Sequence, residues 1–152
     1  MLPVSKLFGK QYERVSFDLI FEESRLDLFT RASFKYANGL AIATCGLEVK
    51  SEGRLLISET KGYIIAEAPW WKTTYFEVHH ENPMEVEKYS ERFLGDGLRY
   101  EISDFLSTIS GHNQSDFKLT RGKSVAMAEV MERFLEEEGR RLKKNIRDYP
   151  LP

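Results

Sequence analysis

Between positions 14 and 93 the chain is a run of short extended segments separated by turn residues, and this limits the fold more than any other feature. Residues 14–22 alternate, with Val15, Phe17, Leu19 and Phe21 on one side and Ser16, Asp18 and Glu22 on the other; Ile20 interrupts the polar side. After a turn at Glu23-Ser24-Arg25 the alternation resumes over 26–37. A period of two marks strands with one buried face. Asn38-Gly39 suits a two-residue hairpin, because both positions need positive φ, and it leads into 40–50. Glu52-Gly53 and Lys61-Gly62 then bound segments 54–58 and 63–68, followed by 73–80 and, after Asn82-Pro83, by the more polar 86–93. Short connections between successive strands imply an antiparallel meander, with the polar last strand near an edge.

The period changes at Gly97. Leu98, Ile102, Phe105, Leu106 and Ile109 recur at helical spacing and offer a stripe to lay on the sheet. Residues 111–115 read as a loop, and Thr120 as the N-cap of a long helix to about Lys144, with Val125, Ala128, Met131, Phe134 and Leu135 turned inward. Leu2 to Phe8, closed by Gly9, looks like the end of a helix with a glycine C-cap. The expectation is a single α+β domain over 1–152: the remnant of a preceding helix at 1–9, a β-meander at 14–93, two helices at 97–146 and a tail at 147–152. Its architecture would be one large, mostly antiparallel, open-faced sheet with helices on one face. The other face carries Leu40 and Ile42, which a second subunit or domain is expected to cover.

Charge narrows the function. Lys and Arg total 22 against 24 Asp and Glu, so no net field favours nucleic acid or an anionic membrane. No apolar run approaches the ~20 residues of a membrane span, and Met1-Leu2-Pro3-Val4 lacks the features of a signal peptide. The lone Cys45 has no internal disulfide partner, which suits a reducing compartment and a cytoplasmic protein; among alanines on a strand it reads as a small buried hydrophobe. No G-x-G-x-x-G is present to seat a dinucleotide, since Gly95-Asp96-Gly97 lacks the third glycine, and no G-x-S-x-G nucleophile turn occurs. His79 and His80 are adjacent on a strand and point to opposite faces, and His112 has no ligand partner at suitable spacing, so no metal site is expected. No residue is assigned a catalytic or cofactor-binding role.

What remains is a possible binding surface. The only two tryptophans, Trp70 and Trp71, follow Pro69 and precede Lys72. Consecutive residues of an extended chain face opposite ways, so at most one can enter a given core layer. Trp70, Trp71, Lys72 and Tyr75 combine aromatic faces with a cation, as sugar and polyol sites do. Glu77 and His79 share the strand face of Tyr75 and extend the candidate substrate-binding set. The same residues read equally as sheet-packing and interface residues.

The segments Ser58-Glu59-Thr60-Lys61-Gly62-Tyr63-Ile64, Ala68-Pro69-Trp70-Trp71-Lys72-Thr73 and Tyr75-Phe76-Glu77-Val78 resemble the C-terminal domain of the glucose–fructose oxidoreductase, inositol dehydrogenase and MocA family. Gly97-Leu98-Arg99-Tyr100-Glu101-Ile102 with Phe105, and Ser124-Val125-Ala126-Met127 with Met131-Glu132, resemble its later helices in the same order. Glu59 departs from the family's usual glycine. The resemblance implies a dehydrogenase-type α+β domain whose sheet contacts substrate and pairs subunits as a homodimer or higher oligomer. It also implies that NAD or NADP binds an N-terminal Rossmann domain outside this chain. The family's catalytic lysine lies in a Glu-Lys-Pro tripeptide that this sequence lacks, and its Asp and His would fall before Met1. The expected function is thus the substrate-binding and dimerisation part of an NAD(P)-dependent oxidoreductase acting on a sugar or polyol, not catalytically competent alone. The alternative is a stand-alone, non-enzymatic assembly module that oligomerises through its sheet face.

Overall fold

The computed structural model describes residues 2–22, 27–47, 49–95, 97–111 and 120–148, with side chains as far as 137. The Glu23-Ser24-Arg25 turn, most of the loop holding His112 and the tail beyond Asp148 lie outside the described residues. The chain divides into two compact units, residues 1–50 with 115–152 and residues 51–114. The elements are α1 (Leu2–Leu7), β1 (Arg14–Phe21), β2 (Asp27–Tyr36), β3 (Gly39–Gly46), β4 (Leu55–Glu59), β5 (Gly62–Ala66), β6 (Tyr75–His80), β7 (Val86–Ser90), α2 (Leu98–Ile109) and α3 (Arg121–Asp148). The fold is α+β and its strands pair antiparallel. They form two sheets, β1-β2-β3 and β4-β5-β6-β7, instead of the one large sheet expected. The meander breaks after Gly46: the next strand begins at Leu55, and the described residues between them form none.

In the first unit, alternation builds a core on one face of the sheet. Val15, Phe17, Ala32, Phe34 and Tyr36 are buried together with Val130 of α3. The Phe134 ring meets Phe17 edge-on at 5.4 Å, and Tyr12 meets Phe34 edge-on at 5.9 Å. The buried row of α3 therefore runs through Val130 and Phe134, while Val125, Met131 and Leu135, expected to face inward, are exposed. Phe134 is the one residue common to both stripes, and its contact with Phe17 fixes which side of the helix meets the sheet. Thr120 caps α3 as the sequence suggests, its hydroxyl accepting from the Lys123 amide at 3.4 Å. Gly9 closes α1 with φ +80° after the Phe8 amide bonds back to the Val4 carbonyl at 2.9 Å.

The β2–β3 hairpin turns on Ala37 and Asn38, because Tyr36 pairs with Gly39, one residue earlier than the expected Asn38-Gly39. Gly39 answers a different requirement. Phe8 stacks on Tyr36 at 4.8 Å, and a Cβ on Gly39 would overlap the Phe8 ring. Cys45 is exposed, not buried, since the helices cover the β1–β2 core and not the far end of β3.

In the second unit the four strands follow chain order, with β7 at the edge as its polarity suggests. One sheet face holds Leu55, Ile57, Ile64, Ala66, Phe76 and Val78, all at least half-buried, with Phe76 stacked on Tyr89 at 4.8 Å. The stripe of α2, expected to lie on a sheet, is exposed at Leu98, Ile102, Phe105, Leu106 and Ile109. The helix is tied instead to the chain just before it: the Tyr100 hydroxyl accepts from the Leu94 amide at 3.0 Å, and its ring meets Phe93 edge-on. No described helix is long and apolar enough to cross a membrane.

Candidate functional site

The connection from β5 to β6 contains the tryptophan pair. Trp70–Lys72 forms a single 3-10 turn after Pro69, not an extended segment. The Trp70 amide donates to the Gly53 carbonyl at 3.0 Å, tying this corner to the residues before β4. The tight turn keeps consecutive rings together, so Trp70 and Trp71 meet edge-on at 5.9 Å instead of facing opposite ways. Trp70 is half-buried and Trp71 is exposed, so neither fills a core layer. Lys72 is exposed.

Thr73 then sets the start of β6. Its hydroxyl accepts from the Tyr75 amide at 3.2 Å and bonds the Tyr75 carbonyl at 2.6 Å. From there the period of two places Tyr75, Glu77 and His79 in one row. The Tyr75 hydroxyl donates to one oxygen of Glu77. His79 Nε2 lies 2.7 Å from the other; because a carboxylate only accepts, Nε2 carries a proton, and whenever the ring is neutral Nδ1 is the acceptor. Antiparallel register adds two neighbours that sequence reasoning missed. Tyr63 stands opposite His79 and stacks on it at 4.4 Å, nearly parallel. Lys88 stands opposite Glu77, its Nζ 3.7 Å from the carboxylate. For Tyr63 the missing signal is the β5–β6 register, which runs across a long connection and cannot be counted off from a two-residue turn; for Lys88 it is the β6–β7 register.

The electrostatics follow from these bonds. The Tyr75 hydroxyl, and next the His79 imidazole, hold Glu77 below the usual carboxylate range, while the bond to Glu77 raises the Tyr75 phenol. The His79 and Glu77 side chains are 22% and 23% exposed. A carboxylate offers about four lone-pair positions; two are used, so Glu77 retains capacity for hydroxyl donors. An ionised acceptor, an imidazole acceptor and the exposed edge of Tyr63 form a polar surface beside an aromatic one.

The structure thus brings Tyr75 and His79 together through Glu77, and Trp70 to Trp71. Among the described residues no hydrogen bond, ion pair or ring contact joins the two groups. His80 turns to the opposite face, where Nε2 lies 2.7 Å from Glu87. Among the described residues no three His, Cys, Asp or Glu side chains converge as a metal site would require. Gly97 precedes α2, and the strand before it is the antiparallel edge strand β7; among the described residues no parallel strand leads through a glycine turn into a helix, the arrangement that seats a pyrophosphate. The chain matches no known family model and no curated protein.

Proposed function

We propose that this chain is the substrate-binding and self-associating part of a cytoplasmic NAD(P)-dependent oxidoreductase of the glucose–fructose oxidoreductase, inositol dehydrogenase and MocA type, acting on a sugar or polyol. The observation that carries the binding role is the Tyr75–Glu77–His79 row with Tyr63 stacked on His79. Paired hydroxyls of a polyol donate to the Glu77 carboxylate and to His79 Nδ1, while its C–H face rests on an aromatic ring. Trp71, exposed at the neighbouring turn, is a further aromatic face of the same chemistry. Nicotinamide cofactor and catalytic lysine belong to a domain outside this sequence, and no hydride step is assigned to residues of this chain.

The test is an NMR titration of the chain with a hexose and a cyclic polyol. Saturable shifts at Tyr63, Glu77 and His79, lost in Glu77→Gln, support the reading; no shifts at these residues overturn it. Micromolar binding of NAD(P)H by the chain would contradict the division of labour.

A second reading, a non-enzymatic assembly module, draws on the outer face of the three-stranded sheet. Ile20, Leu40 and Ile42 are exposed there, Leu40 at 74%. Both readings entail self-association as a dimer or larger, and a strictly monomeric species across a wide concentration range in sedimentation counts against both.

A further inference from the structure

We infer that the outer face of the three-stranded sheet binds a phosphate group, either free or carried by a small molecule. An open cavity of about 220 Å³ lies there, with Arg14, Ser16, Arg31, Ser33 and Lys35 as its polar lining and Leu40 and Ile42 as an apolar wall. The strand register explains why these groups meet. Arg14 stands opposite Lys35, Ser16 opposite Ser33, and Asp18 opposite Arg31. The serine rung lies two residues from the cationic Arg14–Lys35 rung on one side and from the mixed Asp18–Arg31 rung on the other, roughly 7 Å along the strands. Cations therefore flank a pair of hydroxyl donors from both ends.

Charge complementarity selects the ligand. The lining carries three cations and no carboxylate among the described residues. Lys35 is partnered by Glu13 at 3.2 Å, and Asp18 stands beside Arg31 on the same face. Arg14 and Arg31 make no ion pair among the described residues. Two guanidinium forks and two hydroxyls match the several acceptor oxygens of a phosphate dianion better than they match a monovalent ion. A volume of about 220 Å³ accommodates a phosphate with a small organic body. The site lies in the unit that does not contain Tyr75 and His79, so the inference does not depend on the sugar-binding row; it requires the outer face to stay open, and so stands against the assembly reading that covers Leu40 and Ile42.

The test is a titration of the full chain with inorganic phosphate at constant ionic strength, following the amides of Ser16 and Ser33 by NMR. Chloride and a neutral hexose serve as controls, and a triose phosphate separates the ester from the free ion. Saturable shifts at these amides with phosphate, absent with both controls, are expected; tighter binding of the ester assigns the apolar wall to its organic body, and equal or weaker binding identifies the free ion as the ligand. Arg14→Gln with Arg31→Gln should weaken phosphate binding at least tenfold. Should that double variant lose its folded spectrum, the exposed single change Arg31→Gln carries the same comparison. Unchanged affinity in the folded variant, or equal shifts with chloride, overturns the inference. Hexose shifts at Tyr63 and His79 are read in the same samples, so each site fails or stands separately.

Discussion

Gly62→Ala tests whether backbone approach between β5 and β6 creates the Tyr63–His79 stack. Gly62 pairs with His80, and a Cβ there would overlap the His79 carbonyl oxygen. A backbone carbonyl within a ladder cannot swing aside as a side chain would, so either β6 shifts or the pairing opens. Overpacking of this kind costs about 1–3 kcal/mol. The lower entropy of alanine in the unfolded chain returns roughly 0.4–1 kcal/mol, leaving a net loss of about 1.3 kcal/mol at mid-range and at most about 2.6 kcal/mol. Both tryptophans lie in this unit, so their fluorescence during urea unfolding reports the change. The structural readout is sharper. Tyr63 covers the His79 ring at 4.4 Å, which displaces the His79 ring-proton resonances, and in the variant they should move toward free-histidine positions. A stability within ~0.5 kcal/mol of the original, the range of a neutral surface change, with unmoved His79 resonances, would refute the close approach and the register built on it.

Three further outcomes are expected. Phe34, 1% exposed at the centre of the first core, should cost about 3–5 kcal/mol on change to alanine, measured by urea unfolding with hydrogen exchange in β2; a loss below ~1 kcal/mol removes it from the core. Glu77 is held below the ordinary glutamate range by Tyr75 and then His79, so its stabilising contribution is present above that range and disappears as pH falls through the folded value; the stability difference between the original and Glu77→Gln should shrink on acidification, and a pH-independent difference contradicts the bond network. Tyr75 is raised by the same bond, so its share is full below the ordinary tyrosine value and is lost as pH rises through the folded one. Acrylamide should quench the half-buried Trp70 less than the exposed Trp71; equal quenching in Trp71→Phe and Trp70→Phe variants contradicts the turn geometry.

Local pattern carried the elements well and their assembly poorly. The strands, the Thr120 cap and the Gly9 helix end follow from periods and caps that act within a few residues. The division into two sheets depends on whether β3 pairs with β4, and alternation is silent on pairing across 47–54. The inward stripe of α3 fails for a related reason: the row through Val125 and Met131 is as apolar as the row through Val130, and only the sheet's Phe17 selects between them. At the candidate site, the Tyr75, Glu77 and His79 row was legible because a strand alternates. The tryptophan geometry was not, since it assumed an extended chain where Pro69 opens a 3-10 turn.

The two faces of β6 show why residue type alone does not define the site. Each face presents a tyrosine, a glutamate and a histidine: Tyr75, Glu77 and His79 on one, and His80 with Glu87 and Tyr89 on the other. Both carboxylates are held below their usual range by a phenol and an imidazole. Exposure separates them. The His80 and Glu87 side chains are 41% and 53% exposed, about twice the values at His79 and Glu77, so water and salt compete more strongly for that pair. Aromatic coverage separates them further, because Tyr89 stacks on Phe76, whereas Tyr63 stacks on the histidine itself. On the first face the ring immobilises an imidazole already oriented by Glu77, leaving a fixed acceptor and a carboxylate with spare lone pairs side by side. On the second, the aromatic contact shields a phenylalanine and leaves the imidazole to solvent. A polyol needs acceptors at fixed spacing, because a site that must be ordered on binding loses affinity to that ordering, and of these two faces the Tyr63-covered one is the better fit for the proposed site.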